Sequence, residues 1–179
     1  PESPVKMRKE MVFNLVDPRD NPLVKPEYVE TEAKPMTTIF EMAKTLPNMG
    51  IKSPAVWLPY GVLGVSTSEI LADETKGKFG PFAGQLFVGD QGMSKIARVF
   101  LEKVNGKYQG ASFDFMSGFR SGVLRMTWGS DNSMFVGGTN RGWGSIGKED
   151  FGLERLVFSG KTPFEMKAVR AMPDGFEIE

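Results

Sequence analysis

The sequence predicts an all-β chain organised as a partial β-propeller, and three observations carry that expectation. A stretch occurs twice, GQLFVGDQ at 84–91 and SMFVGGTN at 133–140, with FVGD and FVGG offset by about 48 residues. Each copy is followed by a Gly-containing loop and a further apolar segment, KIARVFLE at 95–102 or LERLVFSG at 153–160. The segments are short and parted by glycine turns, whereas a solenoid of this period needs amphipathic helices. The expected layout is about two four-stranded blades over residues 51–179, after an irregular N-terminal segment, 1–50, with one short helix.

Residues 1–35 are rich in proline and charge, with one apolar alternation, MVFNLV at 11–16, that fits a strand. DPRDNP at 17–22 stops it, because prolines cannot extend a ladder. Met36, Ile39, Phe40, Ala43 and Leu46 have helical spacing, Thr38 and Glu41 have capping-box spacing, and Pro47 closes the segment. From Ile51 strands take over. STSEILAD (66–73), GQLFVGDQ (84–91), KIARVFLEKV (95–104) and KYQGASFDF (107–115) read as strands one to four of the first blade, with Asn105-Gly106 as a two-residue hairpin turn. VLRMTWGS (123–130), SMFVGGTN and LERLVFSG follow, with a fourth strand near FEMKAVRA (164–171) and Asp131-Asn132 as the first turn.

Lysine plus arginine equals aspartate plus glutamate at 22 each, so no net field draws the chain to nucleic acid or an anionic membrane. Cysteine and histidine are both absent. That removes thiolate metal sites, haem attachment through Cys-x-x-Cys-His in this chain, and every histidine base or ligand. No apolar run is long enough to span a membrane and no signal-peptide pattern occurs. The first residue is proline, which reads as a processed or excised piece.

In a propeller, the loops joining strands two and three share a face with the loops between blades. That geometry predicts convergence of Asp90, Gln91, Arg120, Ser121, Thr139, Asn140, Arg141 and Trp143, joined by Trp57 and Tyr60. Two arginines beside indole and phenol rings suit an anionic or planar polar ligand. Asp90 is the best candidate for a general base on that face, since histidine is absent. Structural readings stand beside these: Asp90 as a turn-former or arginine partner, and TNRGWGS as a loop whose tryptophan caps the packing. Calcium held by Asp90, Asn140 and carbonyls is conceivable, although no Asp-x-Asp-x-Asp-Gly loop is present and no metal site is assigned. GKFGPFAG (77–84) reads as a structural turn on the opposite face.

WLPYG (57–61), KFGPFAGQLFVGDQ (78–91), RVFLEKVNGKYQGA (98–111), SGVLRMTWGSDNSMFVGGTNRGWGS (121–145) and ERLVFSGKTPFEMKAVRAMPDGFE (154–177) together resemble the later blades of the sorbosone and glucose dehydrogenase-like β-propellers. These belong to large, exported, membrane-bound or haem-associated bacterial dehydrogenases. The resemblance covers about residues 51–177. It implies a six-bladed quinoprotein-type ring, an extracytoplasmic (periplasmic or secreted) location, and oxidation of a sugar or sugar-derived aldehyde with pyrroloquinoline quinone and calcium. On that reading Arg120, Asn140, Arg141 and Trp143 hold the cofactor, Trp57, Tyr60 and Gln91 meet the substrate, and Asp90 is the base. The family's better-known quinoproteins use a histidine base, and this chain departs from them there.

Two readings of function follow. The chain is part of a quinone-dependent sugar dehydrogenase, or it is a non-catalytic module that binds carbohydrate or a protein partner with Trp57, Tyr60 and Trp143 as stacking platforms. Either way the exposed blade faces require cover from the remaining blades, another chain or a homo-oligomer.

Overall fold

Nine strands and no helix make up the described part of the chain, residues 54–179 of the computed structural model. The expected strand at 11–16, the helix at 36–46 and the division near residue 50 lie outside the described residues. The first sheet has the order β1-β2-β3-β4, from β1 (Thr67–Ala72), β2 (Leu86–Asp90), β3 (Lys95–Val104) and β4 (Lys107–Ser117). All its pairs are antiparallel. The β3–β4 turn is Asn105-Gly106, both with positive φ (49° and 80°), as a two-residue turn matched to strand twist demands.

The second sheet, β5-β6-β7, comprises β5 (Val123–Trp128), β6 (Met134–Thr139) and β7 (Phe151–Leu156). The fourth strand expected near 164–171 is not in it, which leaves three strands among the described residues. Residues 164–171 go elsewhere: β8 (Val169–Met172) pairs with β9 (Gly175–Ile178) in a separate hairpin. The physical reason lies in three places. Gly160, at φ 81°, turns the chain out of line with β7. Pro163 has no N–H to give a ladder. Beyond it, the fully buried Arg98 of β3 collects the carbonyls of Met166 and Lys167 at 2.6 and 2.9 Å.

Arg98 explains how a charge survives in an apolar place. Its Nη1 also donates to Gln85 Oε1 at 2.6 Å, and its guanidinium stacks over Phe82 and Phe113 at 5.0 and 4.5 Å. Burial lowers its pKa, and Glu165 at 3.7 Å partly restores it. Three hydrogen-bond acceptors, the Glu165 carboxylate and two ring faces replace most of the water it gives up, with Nε left without a partner among the described residues.

The core lies between the two sheets. Phe87 and Ile96 from the first sheet meet Val123, Met126, Met134 and Val136 from the second, and the 75–85 turn adds Phe79 and Phe82. Phe79 packs edge-on against Phe87 and Trp128, with ring centroids 5.8 and 4.9 Å apart. Contacts of this kind stabilise by about 0.5–1.5 kcal/mol each beyond their buried area. Gly89, the glycine of the first FVG copy, lets the sheets approach: a Cβ there would sit 2.7 Å from Val123 Cγ1. The turn at 77–84 is thus structural, as its glycine content implies.

Register places alternate side chains of the second sheet on opposite sides. Met126 and Val136 share one face with Glu154, while Phe135 and Thr127 share the other with Arg155. The inner face is buried against the first sheet. The outer face is open, with Phe151 and Leu153 both more than two-thirds exposed.

Candidate functional site

The ends of β2 and β6 point the same way, and three loops meet there: 91–94, 118–122 and 140–150. Hydrogen bonds join them directly. Gln91 Nε2 donates to the carbonyls of Thr139 (3.1 Å) and Trp143 (2.7 Å). Ser94 Oγ lies 3.0 Å from Ser145 Oγ and accepts from Gly147 N at 2.9 Å. Ile146 N donates to Gly92 O at 3.0 Å, and Glu149 N to Arg120 O at 2.9 Å. The two copies of the repeat therefore build one loop cluster between them.

Within the cluster, polar side chains are turned inward. Asp90 is fully buried, and its carboxylate accepts from three main-chain N–H groups: Val65 at 2.7 Å, Ser66 at 2.8 Å and Met93 at 2.7 Å. It organises two loops at once. Asn140 does the same for its own loop, donating to Gly147 O (2.5 Å) and Glu149 O (2.9 Å) while its Oδ1 accepts from Ser145 at 2.5 Å. Gln91 is buried too, with its Oε1 left without a partner among the described residues.

The outward groups are few. Trp143 is 66% exposed although its carbonyl is bound, and Ile146 and Arg141 are exposed beside it. Arg120 is exposed as well, 3.4 Å from Glu149, and its N–H donates to Glu154 Oε1 at 3.0 Å. Ser121 is buried, its hydroxyl without a partner among the described residues. The segment carrying Trp57 and Tyr60 divides. Its end reaches the cluster, since Val65 and Ser66 bind Asp90 and Val65 packs beside Gly92. Trp57 does not, because its carbonyl accepts from Ser112 Oγ in the middle of β4 at 2.9 Å. Tyr60 is 76% exposed on the intervening turn.

The asymmetry of the repeat has a steric cause. Gly138 stands where the second copy would place the counterpart of Asp90, and a Cβ there would lie 2.9 Å from Gly122 O and 3.0 Å from Ser121 Cβ. Only one of the two strand ends has room for a carboxylate.

As a cradle for calcium or a quinone, this arrangement offers little. Asp90's oxygens face N–H donors, which compete with a cation for the same lone pairs. Asn140's amide is spent on carbonyls of its own loop. Arg141, and Arg120 in competition with its ion pair to Glu149, are the arginines that could meet a carboxylate ligand. Sequence reasoning missed the Ser94–Ser145 contact and the close packing of Gly147, whose Cβ would fall 2.4 Å from Phe119 O. The only signal for either was the glycine and serine content of the loop. Compared with protein-family models, curated proteins and solved structures, the chain matches none.

Proposed function

We propose that residues 54–179 are blades of a β-propeller acting as a non-catalytic, carbohydrate-binding module, with the 140–146 turn as its contact surface. The observation that supports this reading is the division of labour in the cluster. Asp90, Gln91 and Asn140 are committed to main-chain partners, while the Trp143 indole and the Arg141 guanidinium are offered to solvent. An exposed indole stacks on the apolar face of a sugar ring, and a guanidinium hydrogen-bonds its hydroxyls or an acidic substituent. A buried carboxylate encircled by N–H donors is poorly suited to take a substrate proton, which favours binding over catalysis.

The second reading is a quinoprotein-type sugar dehydrogenase segment in an extracytoplasmic protein. It draws on the exposure of Arg120 and Arg141 in the same cluster, two cations that suit a quinone's carboxylates. One experiment separates the two. Tryptophan fluorescence of the full chain is followed against a panel of neutral and acidic oligosaccharides, then against pyrroloquinoline quinone with calcium, with dye reduction recorded for aldoses. Saturable glycan quenching lost in Trp143→Ala supports the binding module. A flat glycan response alongside quinone binding and dye reduction overturns it in favour of the dehydrogenase.

A further inference from the structure

The chain carries six asparagines, and Asn105 is the one followed by glycine. That step is chemically reactive, because a glycine N–H approaches the preceding side-chain carbonyl with no Cβ in the way. The fold sets it in the open. Asn105 and Gly106 are the whole β3–β4 turn, both are exposed, and a Cβ on Gly106 would meet nothing within 4 Å. The Gly106 N–H lies outside the ladder, whose last pair is Val104 with Lys107.

The other two described asparagines are guarded. The N–H after Asn132, that of Ser133, donates to Asp131 Oδ1 at 3.1 Å. The N–H after Asn140, that of Arg141, donates to Thr139 Oγ1 at 3.1 Å, and the Asn140 amide is held by the carbonyls of Gly147 and Glu149. A bound nitrogen must give up its partner before it attacks or leaves. Charge favours the turn as well. From residue 103 to residue 113 the charged side chains are Lys103 and Lys107, one on each side of it. Their field stabilises a deprotonated peptide nitrogen and the negative charge that builds on an attacked carbonyl oxygen.

We propose that Asn105 is a site of spontaneous deamidation, with water as co-reactant, and that its β-linked product unlatches the end of the β3–β4 hairpin. The Gly106 nitrogen gives its proton to hydroxide and bonds to Asn105 Cγ. The Cγ–Nδ2 bond breaks, and ammonia leaves with a proton taken from water. Water then cleaves the five-membered imide at either C–N bond. Cleavage at Cγ yields aspartate, and cleavage at the main-chain carbonyl yields an aspartate whose Cβ and Cγ have entered the backbone. The balance is one water consumed, one ammonia released and no change in oxidation state. A two-residue turn that closes the Val104–Lys107 pair has no room for the added main-chain atom. The next pairs inward are Lys103 with Tyr108 and Glu102 with Gln109. Glu102 Oε1 accepts from Gln109 Nε2 at 2.9 Å and from Ala171 N at 3.0 Å, so the loosened end includes a hold on β8.

The full 179-residue chain is incubated in ammonia-free buffer and followed by intact mass and by electron-transfer fragmentation, which separates the two aspartate forms. The expected result is a gain of about 1 Da at residue 105, at least about tenfold faster than at any other asparagine and faster at about pH 9 than at about pH 7. Asn105→Gly keeps a pair suited to the turn, retains the far-UV circular dichroism and abolishes that gain. In the β-linked fraction, isolated by ion exchange, amide exchange at Lys107 and Ala171 is faster by about tenfold. Earlier conversion at another asparagine, or a mass gain of the same rate in Asn105→Gly, overturns the proposal. So does an unconverted residue 105 after about ten half-lives of a free peptide of residues 98–112. Unchanged exchange in the β-linked fraction overturns the unlatching.

Discussion

Gln91 Nε2 lies 2.7 Å from the carbonyl oxygen of Trp143 and donates to it from a buried position. The same amide reaches Thr139 O at 3.1 Å, so one side chain fixes both ends of the 140–142 turn. Gln91→Leu keeps the volume and removes both donors. The expected cost is about 1–3 kcal/mol in urea denaturation, with faster amide exchange confined to residues 140–147.

Asp90 holds three N–H groups that have no substitute acceptor in the loop cluster. Asp90→Ala is expected to lose roughly 3 kcal/mol of stability, because the orphaned donors stay buried. A catalytic base would behave differently. Its removal would abolish turnover and leave the denaturation midpoint in place, and that pattern would contradict the structural role.

Arg98→Met replaces a buried cation by an apolar chain of similar length, leaves the Met166 carbonyl without its donor and takes from the Lys167 carbonyl one of two, the other being Gln85 Nε2. Residues 166–167 lose their buried anchor on β3, while Ala171 N stays bound to Glu102 of the same strand. Limited trypsin digestion is expected to cut the variant after Lys161 or Lys167 at least about tenfold faster than the parent, with a stability loss of about 3 kcal/mol. Equal cleavage rates would show that the segment is held by other contacts.

Carboxylates also clamp that segment. Glu102 is lowered by the Ala171 N–H and then by Gln109, and Glu179 by Lys167 and Arg170. At the end of β7's ladder, the Ser133 hydroxyl and N–H, then Arg155, bring Asp131 from 3.8 to about 2. Each folded-state value lies below the unfolded one, so the contribution is complete above the ordinary carboxylate range and is lost as pH falls through the folded value. The melting temperature should decline as pH falls below about 4.5 toward 2, and Asp131→Asn should flatten the lower part of that decline. A decline of equal slope in the variant would remove Asp131 from the account.

Glycines in the 140–150 loop and its neighbours are not equivalent. A Cβ at Gly122 would meet Gln91 O at 2.5 Å and one at Gly147 would meet Phe119 O at 2.4 Å, whereas at Gly144 nothing lies within 4 Å. Alanine at 122 or 147 is expected to cost about 2 kcal/mol or more, and alanine at 144 to stay within about 0.5 kcal/mol. Thermal denaturation of the three variants checks the order.

The legible part of the fold was where period two coincided with strong turn chemistry. Residues 95–117 show it: alternation sets β3 and β4, and Asn105-Gly106 leaves one way to join them. β7 begins at Phe151, two residues before the apolar run that signals it, because Phe151 and Gly152 pair through backbone alone. The missing fourth strand was illegible for a tertiary reason, since Arg98 draws 166–167 away and no local pattern reports a contact across 68 residues. At the site, the convergence of Gln91 with Thr139 and Trp143 followed from the repeat. Whether Asp90 points out or in did not, because the same residue type serves as base and as turn-former and only burial decides.

The 140–150 loop is gripped mainly by its backbone: the carbonyl of Trp143 and the N–H groups of Ile146, Gly147 and Glu149 bind Gln91, Gly92, Ser94 and Arg120, and Ser145 Oγ adds a side-chain contact to Ser94. Identity at 141, 143 and 146 is thereby uncoupled from stability. Evolution can exchange those three side chains, and with them what the surface recognises, while the framework beneath stays as it is.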